Sequence, residues 1–162
     1  MNGKLRCMTA LYLLCGDEVL LLFRQGGRVV SEVYTGAAGG HFEPEEWQDA
    51  KACILRETAE EVGLGEEALP GLHLKYLMLR RVENELRLNY YFFAEIQEKP
   101  EGLSSNEGRL EWVKQDAALD LPMPLSAKAA WAHWLREGRL TDDFYTGTVV
   151  GEEAVFTALP IT

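Results

Sequence analysis

The sequence predicts an α+β protein, a mixed β-sheet sandwiched between helices. Three observations point there. Short apolar runs rich in Leu, Val and aromatics recur in pairs around turn signals, the pattern of strands joined by hairpins. One longer segment, near residues 49–62, carries the start and stop signals of a helix. Strand-like and helix-like runs mix without strict βα alternation, which favours a mixed sheet with helices on its faces. The 162 residues suffice for one domain with a real core, so 1–162 is expected to be a single domain.

In chain order, Thr9 to Cys15 and Val19 to Arg24 are apolar and separated by Gly16-Asp17-Glu18, which reads as a buried hairpin. Gln25 to Ala38 reads as a polar, glycine-containing connection, with Tyr34 a half-buried loop aromatic rather than a substrate-stacking one. The helix is expected from near Asp49, a good N-cap, to Val62, with Gly63 as the stop. Gly65 to Gly71 is a loop. His73 to Arg81 and Leu86 to Ile96 read as strands around Val82-Glu83-Asn84-Glu85. The consecutive aromatics Tyr90 to Phe93 imply a strand covered on both faces, with core packing rather than base stacking as their role. After a polar loop come a short strand at Leu110 to Val113 and an extended lead, Leu121 to Leu125. A helix follows at Ser126 to Arg136, its buried side marked by Trp131, Trp134 and Leu135. Phe144 to Val149 and Ala154 to Leu159 read as a terminal hairpin across Gly151.

Composition narrows the function. With 26 acidic against 16 basic residues, the net charge of −10 argues against non-specific binding to nucleic acid or to an anionic membrane. It leaves room for a small phosphorylated substrate, because a bound cation can reverse the sign locally. Three cysteines without CxxC spacing fit buried thiols in a reducing compartment better than a disulfide framework or a zinc site. With neither a membrane-length apolar stretch nor a signal-peptide pattern, the expectation is a cytoplasmic protein.

The chemistry concentrates in GGHFEPEEWQDAKACILRETAEEVGL, Gly39 to Leu64. On a helix, Glu57, Glu60 and Glu61 stand at i, i+3 and i+4 and project from one face. Carboxylates so close repel one another, and a hard divalent cation that prefers oxygen ligands relieves the repulsion. The segment resembles the Nudix box, whose pattern is Gly, five residues, Glu, seven residues, Arg-Glu, an apolar residue, any, Glu-Glu, any, Gly, apolar. Arg56 to Leu64 matches its second half, with Thr58 in place of the usual aliphatic. Gly40 and Glu46 match the first half, but nine residues rather than seven separate Glu46 from Arg56, and the standard spacing lands on Gln48. Two residues inserted within the helix would rotate what precedes them by about 200°. Placing them at Trp47-Gln48, before the N-cap, leaves the glutamate face intact.

The resemblance to MutT-like Nudix proteins extends more loosely over most of the chain. It implies a hydrolase that attacks within the diphosphate bridge of a nucleoside diphosphate derivative, with Mg²⁺, or Mn²⁺, as cofactor. It implies Glu57, Glu60, Glu61 and the Gly39 carbonyl as metal ligands, and Arg56 as a structural residue braced by Glu46, with Glu43 and Glu45 as nearby substitutes. Glu107 is the candidate general base beside the box glutamates, and a solvated loop acid is its competing reading. His41 reads as a polar turn residue, and His73 and His133 have no constellation around them. The first expectation for substrate is an oxidised or ordinary (d)NTP. ADP-ribose, nucleotide sugars and dinucleoside polyphosphates are the alternative, and a non-catalytic nucleotide-binding module is the reading from another class. The Trp-rich helix or the terminal hairpin could supply a homodimer surface.

Overall fold

The computed structural model describes residues 3–25 and 32–160, and among them eight strands and two α-helices. β1 (Lys4–Cys15) and β2 (Glu18–Arg24) form the expected hairpin, with Gly16 at φ 58°, a left-handed conformation that glycine adopts without strain. β3 (Val33–Gly36) corrects the sequence reading, which treated Gln25 to Ala38 as a connection and Tyr34 as a loop aromatic. β3 is short and has no apolar alternation of its own. It takes its extended form from antiparallel pairing with Leu21 to Arg24 of β2. Positions 26–31 of that connection lie outside the described residues.

α1 (Ala50–Val62) follows, then β4 (His73–Val82), β5 (Glu85–Ile96), β6 (Arg109–Lys114) and α2 (Leu125–Arg136), and last the hairpin of β7 (Phe144–Val150) and β8 (Glu153–Leu159). The strands bond in the order β3-β2-β1-β5-β4-β7-β8, with β6 pairing β2. β1 and β5 run parallel along their whole length, from Lys4 opposite Glu85 to Cys15 opposite Ile96. β4 and β7 form the second parallel pair and the remaining pairs are antiparallel, so the sheet is mixed.

Alternation along β1 divides the core into two layers. Tyr12 and Leu14 point to the side covered by α2, where they meet Tyr76, Phe93, Trp131 and Trp134. Leu11 and Leu13 point the other way, to Phe92 and to Ile54 and Val62 of α1. In their C-terminal halves β1 and β5 are therefore buried on both faces, which is why the aromatic run of β5 is continuous. The indoles of Trp131 and Trp134 stack with centroids 4.8 Å apart, and the Trp131 N–H donates to the Gln115 carbonyl at 3.1 Å. The Trp face of α2 is thus spent on the core and is not available for a dimer. The terminal hairpin does leave Val150 and Val155 exposed. Among the described residues, no helix is long and apolar enough to cross a membrane.

Candidate active site

The segment after β3 is stitched to β1 rather than left as a free loop. The Leu11 N–H donates to the Ala38 carbonyl and the Thr9 N–H to the Gly40 carbonyl, both at 2.8 Å. Gly39 lies at φ 152°, and a Cβ there would collide with the Thr9 carbonyl; a Cβ on Gly40 would collide with the Glu57 carboxylate. Close approach to the β1 backbone requires glycine at 39, whereas at 40 the neighbour is the end of the Glu57 side chain.

α1 begins and ends where its caps dictate. Asp49 accepts from the Ala52 N–H at 3.0 Å, and Gly63 closes the helix in the left-handed conformation at φ 71°. Thr58, where an aliphatic residue was expected, is fully buried, and its hydroxyl is satisfied by the Ile54 carbonyl at 2.6 Å. Pro44–Glu46 forms a 3₁₀ turn and α1 begins only at Ala50, so Trp47-Gln48 sits in the turn before the N-cap.

Arg56 is the hub of the site. Its Nε and Nη2 donate to the two carboxylate oxygens of Glu46 at 2.7 and 3.0 Å, a bidentate pair. Nη1 donates to Glu57 at 2.9 Å and Glu60 at 3.2 Å, and Nη2 also reaches the His41 carbonyl at 3.0 Å. Glu43 comes only within 4.0 Å of the guanidinium through its side chain; its backbone N–H instead donates to Glu46 at 2.9 Å. With these donors on it, the Glu46 carboxyl is pulled down to about 2, chiefly by Arg56. Arg56 itself is raised above its ordinary value, first by Glu46.

Glu61 has a different environment. Its side chain is 11% exposed, against 61% for Glu60. It accepts from the Gly39 N–H at 2.9 Å and lies 3.9 Å from Arg24. Burial raises its pKa, and the nearby Glu57 and Glu107 add to this, while the Gly39 N–H and Arg24 oppose it. The same Arg24 Nη2 stands 3.4 Å from Glu107, which links Glu107 to the helix carboxylates through a shared arginine rather than by direct contact. Gly108 holds that loop tight on β2, since a Cβ there would strike the Phe23 carbonyl. Arg24 was missed in the sequence; its one signal is a cation ending the apolar run VLLLFR.

The structure therefore brings Glu46, Glu57, Glu60, Glu61, Gly39 and Glu107 around two arginines. Among the described residues, no three Asp, Glu, His or Cys side chains already converge as a ligand set, and arginines engage the carboxylates. The donors are nonetheless all oxygen, and Glu61 is a half-buried carboxylate whose charge burial disfavours. That chemistry fits a hard divalent cation. Tyr34 stands apart from this set: its hydroxyl donates to Glu111 at 2.9 Å and its ring packs on Phe23. His133 is buried beside the Tyr76 hydroxyl, 2.9 Å from it, on the opposite face of the sheet.

A family model described as NUDIX domain matches residues 5–135. Among solved structures, a MutT protein from Bacillus halodurans is similar at TM-score 0.67 and 24% identity, over 97% of this chain and 99% of that one. The dihydroneopterin triphosphate pyrophosphohydrolase of E. coli is similar at TM-score 0.65 and 18% identity, over 80% and 94%. The NUDIX domain of Shewanella oneidensis NrtR, complexed with ADP ribose, is similar at TM-score 0.61 and 16% identity, over 87% and 91%. These likenesses establish the fold they share. No curated protein sequence matches this chain.

Proposed function

The chain belongs to the NUDIX family; from that premise we propose that it is a phosphoanhydride hydrolase that cleaves the diphosphate linkage of a nucleoside diphosphate derivative, with a MutT-like (d)NTP, oxidised or ordinary, as first substrate. The observation that carries this reading is the Arg56 hub. One guanidinium gathers Glu46, Glu57 and Glu60 and holds the His41 carbonyl, while Glu61 is fastened to Gly39 across the loop.

Glu57, Glu60, Glu61 and the Gly39 carbonyl would hold Mg²⁺, or Mn²⁺ in its place. When bound, the cation supplies charge neutralisation to the bridge oxygens and lowers the pKa of a bound water. Arg56, braced by Glu46, keeps loop and helix at a fixed spacing, so that the carboxylates cannot spread under their own repulsion. Glu107 would take the proton of the attacking water, and Arg24 keeps it beside Glu61. The acidic chain disfavours nucleic acid and anionic membrane as partners, so the partner is a small nucleotide and the site of action the cytoplasm. The family match ends at residue 135, yet β7 and β8 continue the same sheet beyond β4, which supports reading 1–162 as one domain. The exposed edge of that hairpin is the surface left for a homodimer.

A second reading is favoured by the likeness to an ADP ribose complex and to a pterin triphosphate enzyme. In it the substrate is ADP-ribose, a nucleotide sugar or a dinucleoside polyphosphate, or the nucleotide is bound without turnover. The deciding experiment is a panel of these compounds incubated with Mg²⁺, with Mn²⁺ and with EDTA, followed by product analysis. Metal-dependent release of a nucleoside monophosphate is expected. No product from any of them with either metal would sink the hydrolase reading.

A further inference from the structure

The register of β1 and β5 opens a second feature on the α1 face. Leu11 and Leu13 face α1, so by alternation Leu5 and Cys7 do too, with Leu88 opposite Cys7 and Tyr90 opposite Thr9 on the neighbouring strand. α1 packs over the far half of these strands, at Leu11, Leu13 and Phe92. Over the near half no α-helix packs among the described residues. Phe42 and Trp47, from the two ends of the turn that leads to α1, border a cavity of about 270 Å³ there, together with Arg6, His41, Leu88 and Tyr90.

We infer that this cavity is the subsite for the planar base of the nucleotide substrate, with Trp47 as its stacking wall. The inference rests on the hydrolase reading above and adds where specificity is set. Its volume leaves room for a ring, being just below the roughly 300–1,000 Å³ that takes a whole drug-sized ligand. Phe42 and Tyr90 already lie with ring centroids 5.0 Å apart, tilted by 52°, which makes one aromatic wall. Trp47 also lines the cavity, and it is 73% exposed. A large apolar ring left uncovered at the mouth of an aromatic cavity is a surface prepared for a partner, and every base has a π-face to offer it.

Two further observations place the cavity in the service of the active site. Trp47 is one of the two residues by which this chain exceeds the box spacing; it precedes α1 and lines the cavity. The cavity is also built from the same backbone as the carboxylate site: Gly40 abuts Glu57, the His41 carbonyl receives Arg56 at 3.0 Å, and Phe42 is the next residue. The loop that carries Phe42 toward Trp47 is thus continuous with the carboxylate site, where a bound cation would receive the phosphates. Arg6 supplies the cation of this rim. Its Nε donates to the His41 ring at 2.7 Å, and its Nη1 is only loosely held by Glu85 at 3.9 Å, which leaves it able to meet a ribose or phosphate oxygen.

The test uses adenosine and guanosine 5′-monophosphate as probes in EDTA, with tryptophan fluorescence as the readout, and steady-state kinetics on the best substrate of the panel. Quenching by the monophosphates is expected in the wild type and is expected to vanish in Trp47→Phe, although that variant keeps a stacking ring and a KM near the wild-type value. Trp47→Ala is expected to raise KM about tenfold, within the range for losing one base–aromatic stack. Because Trp47 is exposed, neither variant threatens the fold. Equal quenching in Trp47→Phe, or an unmoved KM in Trp47→Ala, would overturn the base site and leave the hydrolase reading standing. Probe binding at Trp47 without turnover of any substrate would do the reverse. A dimer that dissociates in Trp47→Ala while KM stays fixed would assign the cavity to a second copy and overturn the proposal.

Discussion

The two faces of the sheet are built from different chemistry. Under α2 the contacts are aromatic and closed: Tyr12, Tyr76, Phe93, Trp131 and Trp134 pack ring on ring, and the buried Trp131 N–H has its acceptor. Under α1 a core of Leu11, Leu13, Ile54 and Phe92 gives way to carboxylates gathered on Arg56 and Arg24, and beyond them to an open cavity. The difference teaches where this protein keeps stability and where it keeps function. Ring packing needs nothing but exclusion of water. A carboxylate platform needs some water, a cation and a route for substrate, so it stands at the margin of a core and is held by charge and by backbone donors.

The sharpest way to break this comparison is to remove charge from one face and volume from the other. Glu61→Gln keeps an oxygen to accept the Gly39 N–H, so the melting temperature should hardly move. Metal-dependent hydrolysis should fall by about a thousandfold, the upper range for deleting one charge-stabilising group. Turnover retained in the pure variant would remove Glu61 from the platform. Trp131→Ala should act in the opposite sense, costing about 3–5 kcal/mol in a urea titration, as deletion of a large buried ring does. That is a large share of the roughly 5–15 kcal/mol that folded domains possess. The molecules still folded should keep their KM. A loss below about 1 kcal/mol would mean the aromatic layer is not where stability resides.

Glu46 sits between the two regimes, a buried carboxylate whose work is structural. Glu46→Gln should cost about 2 kcal/mol, the scale of hydrogen bonds to a charged group. Its carboxyl is depressed in the folded protein to about 2, so its stabilisation is present above the ordinary glutamate range and is lost as pH falls from that range toward 2. The variant should lack that part of the acid-induced loss. Identical acid unfolding curves for both proteins would show that the pair contributes nothing net.

Much of the carboxylate face could be read in the sequence, because it is local. Asp49, the Glu57, Glu60 and Glu61 spacing and Gly63 lie within a single helix, where 3.6-residue periodicity makes geometry legible. The hairpin and the aromatic run of β5 were legible for the same reason. What escaped was set by distant partners. β3 is a strand only because β2 lies beside it, and the parallel union of β1 with β5 joins segments some eighty residues apart. Arg24 carries no local sign that it will reach both Glu61 and Glu107. The resemblance named Glu46 as the brace of Arg56, but the turn between them left Glu43 and Glu45 standing as substitutes. Trp47 looked like spacing excess and not like a wall of a cavity.

Glu107 gives the smallest expected effect and the finest discrimination. Its side chain is 46% exposed, and its tie to the site runs through Arg24 at 3.4 Å, so the fold has little stake in it. If it takes the proton of the attacking water, Glu107→Gln removes the base and keeps the shape. Turnover should then fall at least about tenfold with KM unmoved, which is the modest end of general-base contributions because solvent can partly substitute. A solvated loop acid would give an unchanged rate. Arg24→Gln separates the two ways in which Glu107 could matter. If position alone makes it effective, loss of the tether should reproduce most of the decrease in the wild-type background and add little to Glu107→Gln. Independent, additive losses would mean that Arg24 acts on the substrate and not through Glu107.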